Sequence, residues 1–262
     1  MSANGVFGER PVLMGHRGCG RGTVEGYLEN TLESFLAAVD FGADWVEVDV
    51  RRTSDDHLVV AHHPADDAGI FYADITGDEA YLRGALPLAE LLDALPSGVG
   101  VDFDVKSSME DATRTRALTT TGQLAGVVRR ESRRRPVLIS SFDAGALDIA
   151  RELAPAVARG LLTWMHFPIG QAVAAAGHLD VQVLATHWGS LRPNDIEPEV
   201  LQRPLDYVVD VVHASGREVL AWCPALKVAR ELLDAGVDAL CVNNIPKVAA
   251  AVAPTACWRV RG

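Results

Sequence analysis

Short apolar runs alternate with amphipathic stretches along the whole chain. Apolar runs typical of buried strands start near eight positions: Val12, Trp45, Gly100, Val137, Val157, Val181, Val219 and Ala239. A stretch with helical spacing of apolar residues follows each run. Strands that alternate with helices predict a parallel sheet covered by helices. Eight such units favour an α/β fold of the TIM (β/α)8 barrel type over an open sheet.

The predicted helices rest on apolar residues three or four positions apart. In residues 29–41, for example, Leu32, Phe35 and Val39 share one face. Other helices are predicted over residues 86–95, 109–135, 171–176, 205–215 and 228–235, and one more starts at Asp143 as its N-cap. Residues 58–61 follow a turn and predict a hairpin extension of the second strand. Residues 65–84 have no clean period and predict a loop or a small excursion from the barrel.

Length and composition bound the class of protein. A chain of 262 residues suits one α/β barrel, and no Pro-, Gly- or Ser-rich linker divides it. We therefore predict a single domain over residues 1–262 with a short insertion after the second strand. A hydrophobic content of 48% with 23% charged residues is ordinary for a soluble globular protein with a substantial core.

The net charge limits the classes of binding partner. A net charge of −11 argues against a nucleic acid or an anionic membrane as the main partner, but a local metal and a few cations can still favour a phosphate substrate. The basic run 129–135 is interpreted as a solvated helix end rather than a binding patch.

The compartment is predicted from the cysteines and the N-terminus. Cys19, Cys223, Cys241 and Cys257 show neither close pairing nor zinc-type spacing, which indicates reduced thiols. No signal-peptide run occurs in residues 1–10, and no stretch approaches the roughly 20 apolar residues of a membrane span. We expect a cytoplasmic protein.

The second predicted strand carries two carboxylates that are candidate functional residues. Alternation over residues 45–50 places the valines on one face and Trp45, Glu47 and Asp49 on the other. Two carboxylates side by side repel each other unless a cation lies between them, and a divalent metal with oxygen ligands suits that place. The alternative is that one acid is a surface carboxylate and the other pairs with an arginine.

Polar residues also end the neighbouring strands, where TIM-barrel active sites lie. On the third strand, Asp102, Asp104 and Lys106 share one face; if that face points inward, Asp104 and Lys106 lie beside the two acids of the second strand. Otherwise they form a local ion pair on a surface strand. The first strand ends in His16-Arg17, and the hairpin extension ends in His62-His63.

Together these residues predict a phosphodiester-cleaving site. Three acids would hold one Mg²⁺ or Ca²⁺, two cations would contact phosphate oxygens, and two histidines would exchange protons at neutral pH. The acids are Glu47, Asp49 and Asp104, and the cations are Arg17 and Lys106. The histidines are His16 and His62. Each histidine taken alone is equally compatible with a structural role, and Asn30 could simply cap the first helix.

Several motifs resemble those of a known family. They are His16-Arg17-Gly18, Glu29-Asn30-Thr31, residues 42–50, Thr53, Val59-Val60-Ala61-His62, residues 86–92, Asp104-Val105-Lys106, Ser140-Ser141-Phe142-Asp143 and residues 236–240. This pattern resembles the glycerophosphodiester phosphodiesterases, TIM-barrel enzymes of the phosphatidylinositol-phospholipase-C-like superfamily. The likeness covers nearly the whole chain and is most specific from His16 to Lys106.

The resemblance implies an enzyme that hydrolyses a small-molecule phosphodiester to sn-glycerol 3-phosphate and an alcohol. It gives the histidines, acids and cations the roles stated above and makes Glu29 a polar neighbour of the site. Two rivals stay open: phospholipase D-like or cyclising lyase action on a lysophospholipid, and a non-catalytic module that binds a phosphate ligand. Head group, metal identity and oligomeric state are not predicted.

Three features depart from the family pattern. His63 stands where an aspartate usually follows the second histidine, and Asp104 replaces the common glutamate. The segment between His62 and Leu86 is short, which predicts a more open cleft, whereas the Gly-rich loop 19–28 is long and could form part of a lid. Aromatic and histidine residues near the later strand ends either line the alcohol side of the pocket or pack at the rim: Trp164, His166, His187, Trp188 and Trp222.

Overall fold

The computed structural model describes residues 5–8, 11–192, 200 and 202–252. Its strands are β1 (Val12–His16), β2 (Thr23–Val24), β3 (Tyr27–Leu28), β4 (Trp45–Arg52), β5 (Leu58–Val60), β6 (Leu86–Pro87), β7 (Gly100–Val105), β8 (Val137–Ser141), β9 (Ala158–Thr163), β10 (Val183–His187), β11 (Glu218–Trp222) and β12 (Ala239–Val242). Its α-helices are α1 (Leu32–Asp40), α2 (Gly77–Leu82), α3 (Leu88–Ala94), α4 (Thr120–Glu131), α5 (Ala144–Leu153), α6 (Ile169–His178), α7 (Leu205–Ala214), α8 (Leu226–Asp234) and α9 (Ile245–Val252).

A closed parallel barrel confirms the predicted fold. Strands β1, β4 and β7 to β12 pair in parallel, and β1 pairs with both β12 and β4, so that no edge is left in the ring. The predicted strands all occur, with β9 and β10 starting one and two residues later than expected. Within the described residues, no helix has the length and apolar content needed to cross a membrane.

Strand alternation divides the apolar side chains into two cores. Val46, Val48 and Phe103 belong to the cluster that also contains helix residues, so this face of the sheet packs against the helices. Met14 and Trp45 belong to a separate cluster, which contains strand residues and Phe7 but none from the helices and therefore fills the barrel interior. Glu47 and Asp49 alternate in step with Trp45, which directs them into the barrel.

The end of the barrel opposite the site is closed. The Phe7 ring meets the Trp45 indole edge-on at 5.3 Å, and the backbone N–H groups of Val6 and Phe7 donate to the Glu218 carboxylate. A Cβ at Gly100 would lie 2.1 Å from the Trp45 ring, so the indole depends on a glycine there. We call this group of residues the floor of the barrel.

The insertion after the second barrel strand is a hairpin with one added helix. As predicted, β5 runs antiparallel to β4, and β6 extends the sheet beyond it. Of the two alternatives for residues 65–84, a plain loop is wrong and a small excursion is right, because α2 and a 3-10 turn, Tyr72–Asp74, lie there. A reciprocal capping box between Thr76 and Glu79 starts the six-residue α2, which is too short to show a period.

The helix predicted over residues 109–135 is shorter and broken. Two 3-10 turns, Met109–Thr113 and Arg116–Leu118, precede α4, and Thr119 caps α4 at its start. The basic run 129–135 begins in the last turn of α4. Its arginines are exposed except Arg135, whose guanidinium is buried and donates to backbone carbonyls at the end of α3. A wholly solvated helix end was therefore the wrong interpretation for Arg135.

Candidate active site

Three buried carboxylates converge at the C-terminal end of the barrel. Glu47 and Asp49 come from β4 and Asp104 from β7, where Asp49 and Asp104 are register partners. One ligand oxygen from each of the three lies within 4.8 Å of the others. The acids of both strands thus point into the barrel, as predicted. The burial of Asp104 excludes the alternative that it lies on a surface strand.

The donor set suits a divalent cation. Oε1 of Glu47 and Oδ1 of Asp104 are buried and accept no hydrogen bond from the part of the chain that the structure describes. Burial, with the charges of Asp49 and Asp104, raises the pKa of Glu47 well above its usual range. Carboxylate oxygens left unpaired in this arrangement are the ligands that Mg²⁺ and Ca²⁺ prefer. These acids would hold such an ion.

Lys106 lies against two of the acids. Its Nζ is 2.9 Å from Asp49 Oδ1 and also contacts Asp104. Burial opposes the charge on Lys106, but the two carboxylates outweigh it and raise the pKa of the ammonium group. Burial likewise opposes ionisation of Asp49, yet Lys106 and Arg17 lower its pKa to about 2. The site therefore interleaves acids and cations at close range.

Arg17 connects the first strand to the acids. Its backbone N–H donates to Glu47 Oε2 at 2.9 Å, and its Nε lies 3.3 Å from Asp49 Oδ2. The guanidinium also donates to Glu29 Oε1 at 2.8 Å, and the Glu29 carboxylate accepts from the Gly22 backbone as well. Glu29 thus holds the arginine from the side of the Gly-rich loop.

Asn30 belongs to the site rather than to a helix cap. Thr31 caps α1 through its side chain. Asn30 has a φ of 58° and donates from Nδ2 to Asp49 Oδ2 at 3.1 Å. Because Thr31 is the cap and the Asn30 amide donates to Asp49, the alternative interpretation of Asn30 as the cap was wrong.

Both histidines line the same cleft as Glu47 and Asp104. His16 Nε2 is 3.9 Å from Glu47 Oε2. His62 is half-buried, and burial together with the positive charges of Arg17 and Lys106 lowers its pKa to about 4. Its ring meets the exposed His63 edge-on at 4.8 Å. His62 is therefore neutral at neutral pH, and its buried Nδ1 has no hydrogen-bond partner among the described residues.

Two further residues lie next to the site. The sequence did not indicate Arg51, and it indicated Asp102 without a role. Arg51 shares the inward face of β4 with Glu47 and Asp49, and its Nη2 donates to the His62 carbonyl at 2.6 Å. The period of two that identified the acids also points to it. Asp102 lies one layer deeper on β7, opposite Glu47, and burial raises its pKa to about 8.

A cleft of about 930 Å³ lies next to the acids. Phe142, Trp164 and Trp222 form its aromatic wall. Phe142 and Trp164 stack at 4.0 Å, and Trp222 donates from Nε1 to the Thr163 carbonyl at 3.2 Å. Arg21, Gly22 and Leu28 also line the cleft, so the Gly-rich loop, folded as the β2–β3 hairpin, forms part of its rim.

The predicted set of later-strand residues divides in two. Trp164 and Trp222 line the cleft, whereas His187 is buried, Trp188 packs against the outer core and His166 is exposed away from the cleft lining. His187 instead accepts a hydrogen bond from the Gly189 N–H at 3.1 Å. The sequence indicates Phe142 only within a motif, because its contact with Trp164 depends on two strand ends that are distant in sequence.

Fold and site together define a TIM-barrel protein with a carboxylate cluster of metal-binding type at the mouth of the barrel. Residues 16–67 and 78–247 match the model of the glycerophosphoryl diester phosphodiesterase family. Because this match covers most of the chain, the protein belongs to that family.

Two relatives match parts of the chain. Glycerophosphocholine phosphodiesterase gde1 of Schizosaccharomyces pombe is 34% identical over 122 residues, which are 45% of this chain and 10% of that protein. Bacillus subtilis YqiK, which is uncharacterised, is 27% identical over 159 residues, 55% of this chain and 64% of its own length. The chain therefore spans less than two thirds of either relative.

Solved structures show the same fold. An Oleispira antarctica phosphodiesterase, solved in complex with the product sn-glycerol-3-phosphate, superposes with a TM-score of 0.70 at 23% identity. The superposition covers 94% of this chain and 98% of that one.

Proposed function

We propose that the protein is a metal-dependent hydrolase that cleaves glycerophosphodiesters to sn-glycerol 3-phosphate and an alcohol. The observation that carries this proposal is the convergence of Glu47, Asp49 and Asp104 beside two imidazoles in one cleft. The family name, the name of the fission yeast relative and the product bound to the Oleispira antarctica structure support it.

The residues divide the chemistry among them. The three acids would hold Mg²⁺ or Ca²⁺, which supplies positive charge to the phosphoryl oxygens. Arg17 and Lys106 bind the same oxygens and keep the diester oriented. His16 and His62 exchange protons with the attacking and leaving oxygens.

The alcohol would occupy the aromatic side of the cleft. Trp164 is 63% exposed although it is stacked on Phe142, so one ring face is open to a ligand. Aromatic faces bind apolar groups and quaternary ammonium groups alike. A volume at the upper end of small-molecule sites leaves room for a head group beyond glycerol phosphate.

The setting of the reaction follows from the substrate class. Glycerophosphodiesters derive from deacylated phospholipids, which would place the protein in lipid metabolism. Cys19, Cys223 and Cys241 are unpaired, which supports the predicted cytoplasmic location. Cys257 lies outside the described residues.

The test is turnover of glycerophosphocholine by the purified protein with Mg²⁺ or Ca²⁺. We expect release of glycerol 3-phosphate, loss of release on chelation, and loss in His16→Ala and His62→Ala. His178→Ala, an exposed histidine on α6, is the matched control and should keep full activity. A cyclic phosphate as end product would indicate a lyase instead. Tight product binding without turnover across a diester panel would indicate a binding module.

A further inference from the structure

A side-chain amide outside the predicted set meets one of the two histidines. Asn243 directly follows β12, and His16 ends the neighbouring strand β1, where Gly15 and Val242 are register partners. Asn243 Oδ1 lies 2.6 Å from His16 Nδ1, a short hydrogen bond between side chains. Cys223 contacts the same oxygen, with Sγ at 3.3 Å.

The chemistry of this contact selects one form of the imidazole. An amide oxygen only accepts hydrogen bonds and has two lone pairs, so the ring N–H and the thiol S–H can both donate to it. The proton of a neutral His16 is then on Nδ1. Its Nε2 carries the lone pair on the side of the ring that lies nearer to Glu47.

The backbone around Asn243 is held from both sides. A Cβ at Gly20 would lie 1.9 Å from the Asn243 carbonyl oxygen, so the loop after β1 approaches it as closely as a glycine permits. The Ile245 N–H donates to the Cys19 carbonyl at 2.9 Å. Asn244 Oδ1 accepts from the Lys247 N–H at 3.0 Å and ties the turn to α9. The amide is therefore fixed relative to the histidine.

We propose that Asn243 is a positioning residue that holds His16 in the Nδ1–H tautomer and presents its Nε2 to the substrate. The catalytic consequence rests on the function proposed above. An amide meets this need without adding a fourth negative charge beside the three acids, which a carboxylate would do. The tautomer of a functional histidine is commonly set by the partner of its other nitrogen.

Kinetics of three variants test the proposal. In Asn243→Ala we expect kcat for glycerophosphocholine to fall by about 10- to 100-fold while KM changes less than about twofold. Asn243→Asp keeps an acceptor oxygen in place and should recover part of that loss. Asn244→Ala removes the adjacent amide, which has no contact with His16, and should keep the wild-type kcat while lowering Tm. Loss of kcat in Asn244→Ala equal to that in Asn243→Ala would overturn the proposal.

A readout independent of turnover is the ¹⁵N spectrum of the histidine rings at pH 8, with His16 assigned by His16→Gln. We expect the Nδ1–H form for His16 in the wild type and a shift toward the Nε2–H form in Asn243→Ala. An Nε2–H form in the wild type would refute the inference whether or not any diester is cleaved. If no diester is turned over but the tautomer responds as expected, the proposed function fails and the role of Asn243 stands.

Discussion

Asp49 and Asp104 face each other across two neighbouring parallel strands, and the Lys106 ammonium contacts both carboxylates. Both acids are aspartates with short side chains, so each carboxylate stays close to its own strand. The register alone therefore brings these acids together, without a contribution from loops.

Removing one acid of this pair should weaken metal binding. We expect Asp104→Asn to raise the concentration of Mg²⁺ or Ca²⁺ needed for half-maximal activity by about tenfold or more, since one charged ligand is lost. The measurement is activity against metal concentration, with calorimetric titration of the metal as a second readout.

Asp102→Asn is the control for that experiment, because Asp102 shares the strand and the inward face but is not one of the converging ligands. With a pKa of about 8 it is largely protonated at pH 7, and an amide replaces it with little change in charge. Equal loss of metal affinity in both variants would contradict the ligand assignment.

The exposed face of Trp164 should discriminate between head groups. We expect Trp164→Ala to raise KM for glycerophosphocholine about fivefold, the size of an exposed cation–π contact, and to leave KM for glycerophosphoglycerol nearly unchanged. Trp164→Phe keeps a ring and should retain most of the preference. An equal rise for both diesters would mean that the wall supplies only apolar contact.

Burial of His187 should make stability depend on pH. Burial lowers its pKa from 6.5 to about 4, so between these values the unfolded chain binds more protons than the folded chain. The contribution of the neutral His187 to the free energy of unfolding is fully present above pH 6.5. It declines as the pH falls toward 4, by up to roughly 3 kcal/mol. His187→Asn keeps an acceptor for the Gly189 N–H but does not titrate. Its Tm should fall less than that of the wild type between pH 7.5 and pH 5, and equal falls would refute this account.

Two glycines should respond to alanine in opposite directions. Gly100→Ala forces a methyl group against the Trp45 indole and should cost about 1–3 kcal/mol, a loss of several degrees in Tm. Gly126 is exposed on α4 and has open space at its Cβ position. Gly126→Ala should therefore stabilise the protein by up to about 1 kcal/mol through helix propensity. Thermal unfolding of both variants checks the pair, and a stable Gly100→Ala would show that the floor is loosely packed.

The sequence predicted the barrel well because its signal is periodic and repeated. Alternation in residues 45–50 indicated correctly which side chains point inward, and the same rule placed Asp104 and Lys106 beside them. Strand ends in a barrel share one rim, so residues far apart in sequence, such as His16 and His62, were correctly expected near one another.

What the sequence did not predict depends on contacts rather than on period. Asn243 meets His16 only because the first and last barrel strands pair, and nothing local marks that amide. Asn30 has a left-handed backbone, which its preference for helix caps does not reveal. Helix α2 starts with a capping box, in which the side chains of Thr76 and Glu79 each accept from the other residue's backbone N–H. Arg51 follows the period of the acids, but it is next to Arg52, and the pair resembles an ordinary charged strand end.

The floor of the barrel has a practical consequence. Contacts among Phe7, Trp45 and Glu218 hold the floor of the barrel together. Every group proposed to touch substrate is at the other end of the strands. Engineers who want a heat-tolerant version can therefore redesign the floor, and assay specificity and turnover afterwards as independent properties.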